Sequence, residues 1–322
     1  MKKTLLLLAA LLILSSHDMF LKLDSFFLEP RSYASIDLYN GTFTKSDNVI
    51  TRDRMIDVSI AGDSRRTSVD SSLWTDDGGI TRLNFTTGDP GTWVAGVSTR
   101  ARNIELEAQS FNDYLKHDGV MDMYKWREDN NALNTDAVEK YSKHVKAIFQ
   151  VGDLRSDDWK TILGYPIEFV PLSNPYEARV GDDISFDLYR KGKKLANQLV
   201  YVGSDHHHQH GHGHDSDDHE HHDTQLRTDS NGSVTIKVTN EGHWFVRAIH
   251  MEHSEEAGLT HESNWATLTF QVKGADGSSH GTHVHSDGTI HEDHDHRIPS
   301  WLYIVGGILL IAGIYFGLRR SK

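Results

Sequence analysis

The chain has 322 residues, a formal net charge of −13 and no cysteine. The acidic balance argues against nucleic acid, which needs a basic patch to neutralise phosphates. The missing cysteine excludes disulfides, thiolate metal sites and a lipidated-cysteine anchor.

The N-terminus reads MKKTLLLLAALLILSSHDMF. Lys2 and Lys3 precede an apolar run, Leu5–Leu14, and small residues Ser15 and Ser16. A run this short cannot span a bilayer, so residues 1–16 read as a secretory signal peptide cleaved after Ser16.

Two stretches then repeat. SIDLY at 35–39 recurs as SFDLY at 185–189, and GTWV at 91–94 as GHWF at 242–245. The Asp77-Gly78 turn has a counterpart in Asn231-Gly232. Ordered matches at nearly one offset point to a duplicated module. Its segments are short, alternate with period two and are divided by Asp-Gly and Asn-Gly turns. Ser233–Thr239, apolar at 234, 236 and 238, is an example. The expected fold is mainly β: two tandem antiparallel β-sandwich domains, residues 17–150 and 151–273. A helical segment over 107–149 interrupts them. Phe111 and Leu115 place one helix over Glu107–Asp118, stopped by Gly119. Val138, Tyr141, Val145 and Phe149 predict a second from Asn134 or Thr135 to Phe149.

Residues 205–223 read DHHHQHGHGHDSDDHEHHD. This loop inserts nine histidines into the second domain: His206, His207, His208, His210, His212, His214, His219, His221 and His222. A second tract, in the 274–297 linker, holds His280, His283, His285, His291, His294 and His296. Neither can build a core. Imidazole is a good ligand for nickel, cobalt, copper and zinc, so both tracts are candidate metal concentrators, with a solvated loop as the plainer alternative. A selective site needs ligands held by rigid elements. Cleavage after Ser16 would make His17 the first residue, so its imidazole and α-amine could chelate one ion, with Asp18 as a further donor. His250, His253 and His261 flank an acidic turn, HMEHSEEAGLTHES, as a second candidate locus or a polar strand-end loop. His117 and His144 read as capping or packing residues.

Residues 298–318 carry no charge and, as a helix, would extend roughly 30 Å, one hydrocarbon core. Arg319, Arg320 and Lys322 follow, so the positive-inside rule puts 319–322 in the cytoplasm and the chain from the cleavage site to about residue 297 outside. The expectation is an exported domain anchored in the inner membrane by its C-terminal helix. No nucleophilic cysteine, phosphate-cradling loop or His-Glu-x-x-His motif is present, so an enzyme is not expected; a copper oxidase built on His17 would need a second histidine nearby.

The stretches HDMFLKLDSFFLEP, GTWVAGVSTRARNIELEAQSFNDYL, YSKHVKAIFQVG, LGYPIEFVPLSNPYEARVGD and GHWFVRAIHMEH together resemble an exported bacterial family. That family is grouped with the NikM-like periplasmic components of nickel and cobalt uptake. The resemblance implies a β-rich periplasmic domain, often membrane-anchored, that handles a transition-metal ion. It implies metal held near the mature N-terminus, which maps here onto His17. Together with the tracts, His17 and the anchor, it gives the expectation of capture of nickel or cobalt, with copper or zinc next, for a transporter partner in the membrane. A structural or interaction module is the non-metal alternative.

Overall fold

The computed structural model describes residues 17–205 and 223–274. The predicted signal peptide, both histidine tracts and the predicted span 298–318 lie outside them. Among the described residues, no helix is long and apolar enough to cross a membrane.

The described chain is mainly β and forms three sheets. The first runs β1 (Asp18–Lys22), β3 (Tyr33–Gly41), β7 (Ile80–Thr86), β6 (Trp74–Asp77). The second is ten-stranded. Its path is β15 (Thr224–Arg227), β14 (Leu199–Ser204), β17 (Gly242–His253), β18 (His261–Val272), β10 (Ala137–Val151), β8 (Gly91–Thr99), β4 (Met55–Gly62), β5 (Arg65–Ser68). The short strands β2 (Phe27–Leu28) and β9 (Arg102–Leu106) also pair with β10. The third sheet holds β11 (Ile167–Pro171), β12 (Asp183–Arg190), β13 (Lys193–Lys194) and β16 (Ser233–Lys237).

The ten-stranded sheet is the middle layer. On one face, the Thr267 and Thr269 hydroxyls donate to the Met19 and Leu21 carbonyls of β1 at 2.8 and 2.5 Å. On the other, the Phe270 ring lies 5.8 Å from Phe186 of β12, and Lys146 Nζ donates to the Phe169 carbonyl of β11 at 3.0 Å. This layering explains two burial patterns. Outer strands alternate: Ala34, Ile36 and Leu38 of β3 point inward, as do Val234 and Ile236 of β16. Central strands are covered on both faces, so Ser142–Val151 of β10 is buried at every position. One apolar core runs through all three sheets, from Met19 to Val272.

The repeated motifs occupy matching places. SIDLY lies in β3 and SFDLY in β12, each in an outer sheet, while GTWV opens β8 and GHWF opens β17 in the middle sheet. The sequence division at residue 150 falls at the end of β10, and the middle sheet is continuous across it. β10 and β18 pair in parallel, Glu139 opposite His261 through Ala147 opposite Thr269. Every other pairing in that sheet is antiparallel except β2 with β10.

The expected first helix is present as α1 (Ala108–His117), with Gly119 following at φ +73°. The second expected helix is not. Residues 137–151 form β10, whose Ser142–Val151 stretch is buried on both faces and carries polar and apolar side chains alike, so no period-two alternation shows. The second helix is instead α2 (Met121–Asp129). Phe111 and Leu115 of α1 and Met123 of α2 pack with Ala137, Ile249 and Trp265 of the middle sheet.

Candidate functional site

His17 stands immediately before β1. That strand pairs with β3 and lies across the β10–β18 seam, which brings four distant segments to one corner. His17 Nε2 lies 3.2 Å from Asn48 Nδ2. An amide nitrogen only donates, so Nε2 accepts and the ring proton sits on Nδ1. His17 Nδ1 faces Asp47 Oδ2 at 3.5 Å, and Lys45 pairs with the other oxygen of Asp47 at 2.6 Å. Both His17 and Asp47 are partly exposed. From inside, Lys143 Nζ donates to the His17 carbonyl and lies 3.5 Å from Asn40 Oδ1. The His17 backbone is therefore gripped by a buried lysine.

Electrostatics keep the imidazole available. Partial burial pushes the His17 pKa below its ordinary value; Asp47 pulls it up and Lys143 pushes it down again. A neutral imidazole is the metal-binding form. Burial also lowers Lys143, to about 8, against the opposing pull of Asp18 and Asp118. Asp18 itself points away from His17 toward the interior. Its Oδ1 accepts from Arg247 Nη1 at 3.3 Å, and Arg247 also donates to the Asp118 carbonyl at 3.2 Å. The predicted donor pair His17 and Asp18 is split by strand geometry, since successive side chains point to opposite faces. Asp47 takes the place beside the imidazole that sequence reasoning gave to Asp18. No local spacing signals it, because Asp47 arrives through the β3 turn.

The second predicted cluster also divides. His253 and His261 are directly opposite across β17 and β18, with ring centroids 6.2 Å apart. His250 is three residues from His253 and so lies on the opposite face. His250 Nδ1 hydrogen-bonds Gln198 Oε1 at 2.9 Å, and its Nε2 lies 3.7 Å from Glu252. Burial lowers its pKa, and Arg190 adds to the effect. His261 sits among Phe111 and Trp126, with centroids at 4.7 and 6.3 Å, and burial takes its pKa to about 4. His253 lies against the Trp126 ring at 4.8 Å. This is aromatic packing around one buried imidazole.

His144 is buried and doubly hydrogen-bonded, to Ser98 and Ser142 at 2.9 and 3.0 Å, so it packs as expected. His117 lies in the last turn of α1, its Nε2 4.0 Å from Asp118 Oδ1. The first histidine tract starts from Asp205, whose carboxylate pairs with His243 Nδ1 at 2.8 Å. The tract histidines 206, 207, 208, 210, 212, 214, 219, 221 and 222, and histidines 280, 283, 285, 291, 294 and 296, lie outside the described residues. Among the described residues, no group of three or more His, Asp or Glu side chains is placed to hold a metal ion.

A family model described as "Domain of unknown function (DUF4198)" matches residues 14–252. The chain belongs to this family. Its DUF4198 region thus includes His17 and all of the strands up to most of β17. No curated protein matches the chain. Among solved structures, the D0-D1 domain of intimin is 13% identical, with 79% of this chain and 97% of that one covered and a TM-score of 0.18. Trypsin-activated alpha-2-macroglobulin from Escherichia coli is 9% identical, with 79% and 15% covered and a TM-score of 0.21. The mouse nectin-like molecule 4 ectodomain is 10% identical, with 81% and 66% covered and a TM-score of 0.18. Likenesses at these scores carry no argument for this chain.

Proposed function

We propose that this DUF4198 chain captures a divalent transition metal outside the membrane, nickel or cobalt before copper or zinc, and hands it to a membrane transporter. The supporting observation is the placement of His17 Nδ1 3.5 Å from Asp47 Oδ2, with the backbone of His17 held by Lys143. Two side chains are too few for a selective site. Cleavage after Ser16 adds the α-amine of His17 as a third donor, in chelating position with Nδ1. With the Asn48 amide turned over, its oxygen accepts from Nε2–H, the outer contact that orients a ligating imidazole. Metal here is cargo, and the reading is a carrier, not a catalyst. The tracts serve to raise local metal concentration, and residues 298–318 serve as the anchor. The same reading takes the matched halves as two β-sandwich modules, in a protein allied to nickel and cobalt uptake.

The test is titration of the mature full-length chain with NiCl2 while following amide NMR signals. Paramagnetic broadening at Asp47 and Asn48 is expected first, at submillimolar Ni2+, and His17→Ala abolishes it. Intact mass must give His17 as the first residue. A different N-terminus, or no divalent-metal binding tighter than about millimolar, overturns the proposal.

A further inference from the structure

A second corner of the molecule carries no metal chemistry and has the build of a small-molecule site. A cleft of about 520 Å³ opens beside the β10–β18 seam, on the face away from His17. That volume falls within the roughly 300–1,000 Å³ of small-ligand sites. Its floor is a closed polar network. Ser142 Oγ donates to Asn264 Oδ1 at 3.3 Å, so His144 Nε2–H donates to Ser142 and His144 Nδ1 accepts from Ser98. These groups need no ligand.

The walls do. Tyr165 and Pro166 form an apolar side, and the lip carries Ile56 and Ile162, 57% and 55% exposed. Ile56 stands at a register shift between Met55 and Asp57 where β4 pairs with β8. Such a bulge re-aims a side chain, here to the mouth of the cleft.

Glu168 is closed off by Lys146 at 3.0 Å and by the backbone N–H groups of Leu163, Gly164 and Tyr165. Arg190 and Lys191 meet two carboxylates: Glu262 of the lining lies 3.9 Å from Arg190, and Glu252 lies 3.9 Å from Lys191, so the charges balance and the opening for a ligand is the guanidinium itself. Glu252 lies outside the lining and takes Arg190 Nη2 at 3.0 Å. Arg190 is 8% exposed, and its Nε and Nη1 are buried with no hydrogen-bond partner. Buried unpaired donors are costly, and a guanidinium fork matches a carboxylate.

We propose that this cleft binds a small organic monocarboxylate, its head at Arg190 and its hydrocarbon body against Ile56, Ile162, Tyr165 and Pro166. Turning the guanidinium toward the cleft presents Nη1 to the ligand. A protonated amine would offer no acceptor to the unpartnered Arg190 donors, and inorganic phosphate would leave the apolar walls wet. The site is separate from His17 and does not depend on metal there.

The probes are hexanoate and phenylacetate, titrated into the full-length chain with isoleucine methyl groups labelled. Saturable shifts at Ile56 and Ile162 are expected, with hexan-1-ol at least about tenfold weaker. Arg190→Gln should weaken hexanoate at least about tenfold, and should cut its margin over hexan-1-ol. Because Arg190→Gln also loses the Glu252 pair, Ile56→Trp is the second variant; it fills the mouth from an exposed position and should abolish binding. No saturable binding of either acid below about 20 mM overturns the proposal, as does equal binding of hexan-1-ol or unchanged binding by Ile56→Trp.

Discussion

Glu139 makes the sharpest demand on the structure. It is 2% exposed, accepts from the Tyr114 hydroxyl at 3.1 Å and from Ser263, and lies on the inner side of the seam. Burial raises its pKa from 4.5 to about 7, while Ser263, Tyr114 and Lys143 oppose the rise. A folded-state pKa above the unfolded one means that the native state holds the proton longer. The associated stability is fully present below pH 4.5 and is lost as pH rises through about 7. This rise is worth about 3 kcal/mol, most of which falls between pH 5 and pH 8. Glu139→Gln keeps the shape and removes the titration. Urea unfolding of wild type and variant at both pH values is the assay. The variant should gain about 2–3 kcal/mol on wild type in going from pH 5 to pH 8. A difference between the two proteins that does not change with pH would refute the reasoning, because Glu139 would then be ionised already at pH 5.

Lys146→Met should cost about 3–5 kcal/mol in urea unfolding, because it leaves the buried Glu168 carboxylate without its counter-ion. Gly62→Ala should lower stability by about 1–3 kcal/mol, since a Cβ there would meet the Trp93 ring at 2.1 Å. Gly164→Ala meets no atom within 4 Å, so any loss of midpoint, about 1 kcal/mol, comes from its φ of +79° alone. Nickel at a hundred times its Kd should raise unfolding free energy by about 2.7 kcal/mol in the mature chain; chelator or His17→Ala should remove the increment.

The sequence made the outer strands legible and the central ones less so. SIDLY, SFDLY and SVTIKVT alternate because one face meets a second sheet and the other meets water, so period two survives in the residues. β10 buries polar residues such as Lys143, His144, Lys146 and Gln150 beside apolar ones, so burial and polarity do not alternate together. Its Val138, Tyr141, Val145 and Phe149 match a helical spacing without marking a single buried face. The α1 helix was readable from Phe111 and Leu115, whereas α2, MDMYKWRED, has too few apolar residues to mark a face. At the site, a histidine next to a predicted cleavage point was visible. Its neighbours Asp47 and Lys143 were not, because they are 30 and 126 residues away and meet it only through strand pairing. The separation of His250 from His253 and His261 follows from strand parity, which an unassigned acidic turn concealed.

The parallel seam sets the repeated motifs in one frame, because β10 and β18 run the same way. SIDLY and SFDLY equate Tyr39 with Tyr189, which pair with Phe20 and Glu168. Three residues earlier in β1 and β11, His17 therefore corresponds to Tyr165, and one residue after the motif, Asn40 corresponds to Arg190. Trp93 opposite Phe149 and Trp244 opposite Phe270 equate Lys143 with Asn264. So His17, Asn40 and Lys143 at the first corner match Tyr165, Arg190 and Asn264 at the cleft. The proposed metal site and the proposed carboxylate site thus fall at matching positions of the two motif sets, on opposite faces of a shared sheet. Lys143 serves the first and its neighbours Ser142 and His144 floor the second, so the two sites stand one residue apart along β10.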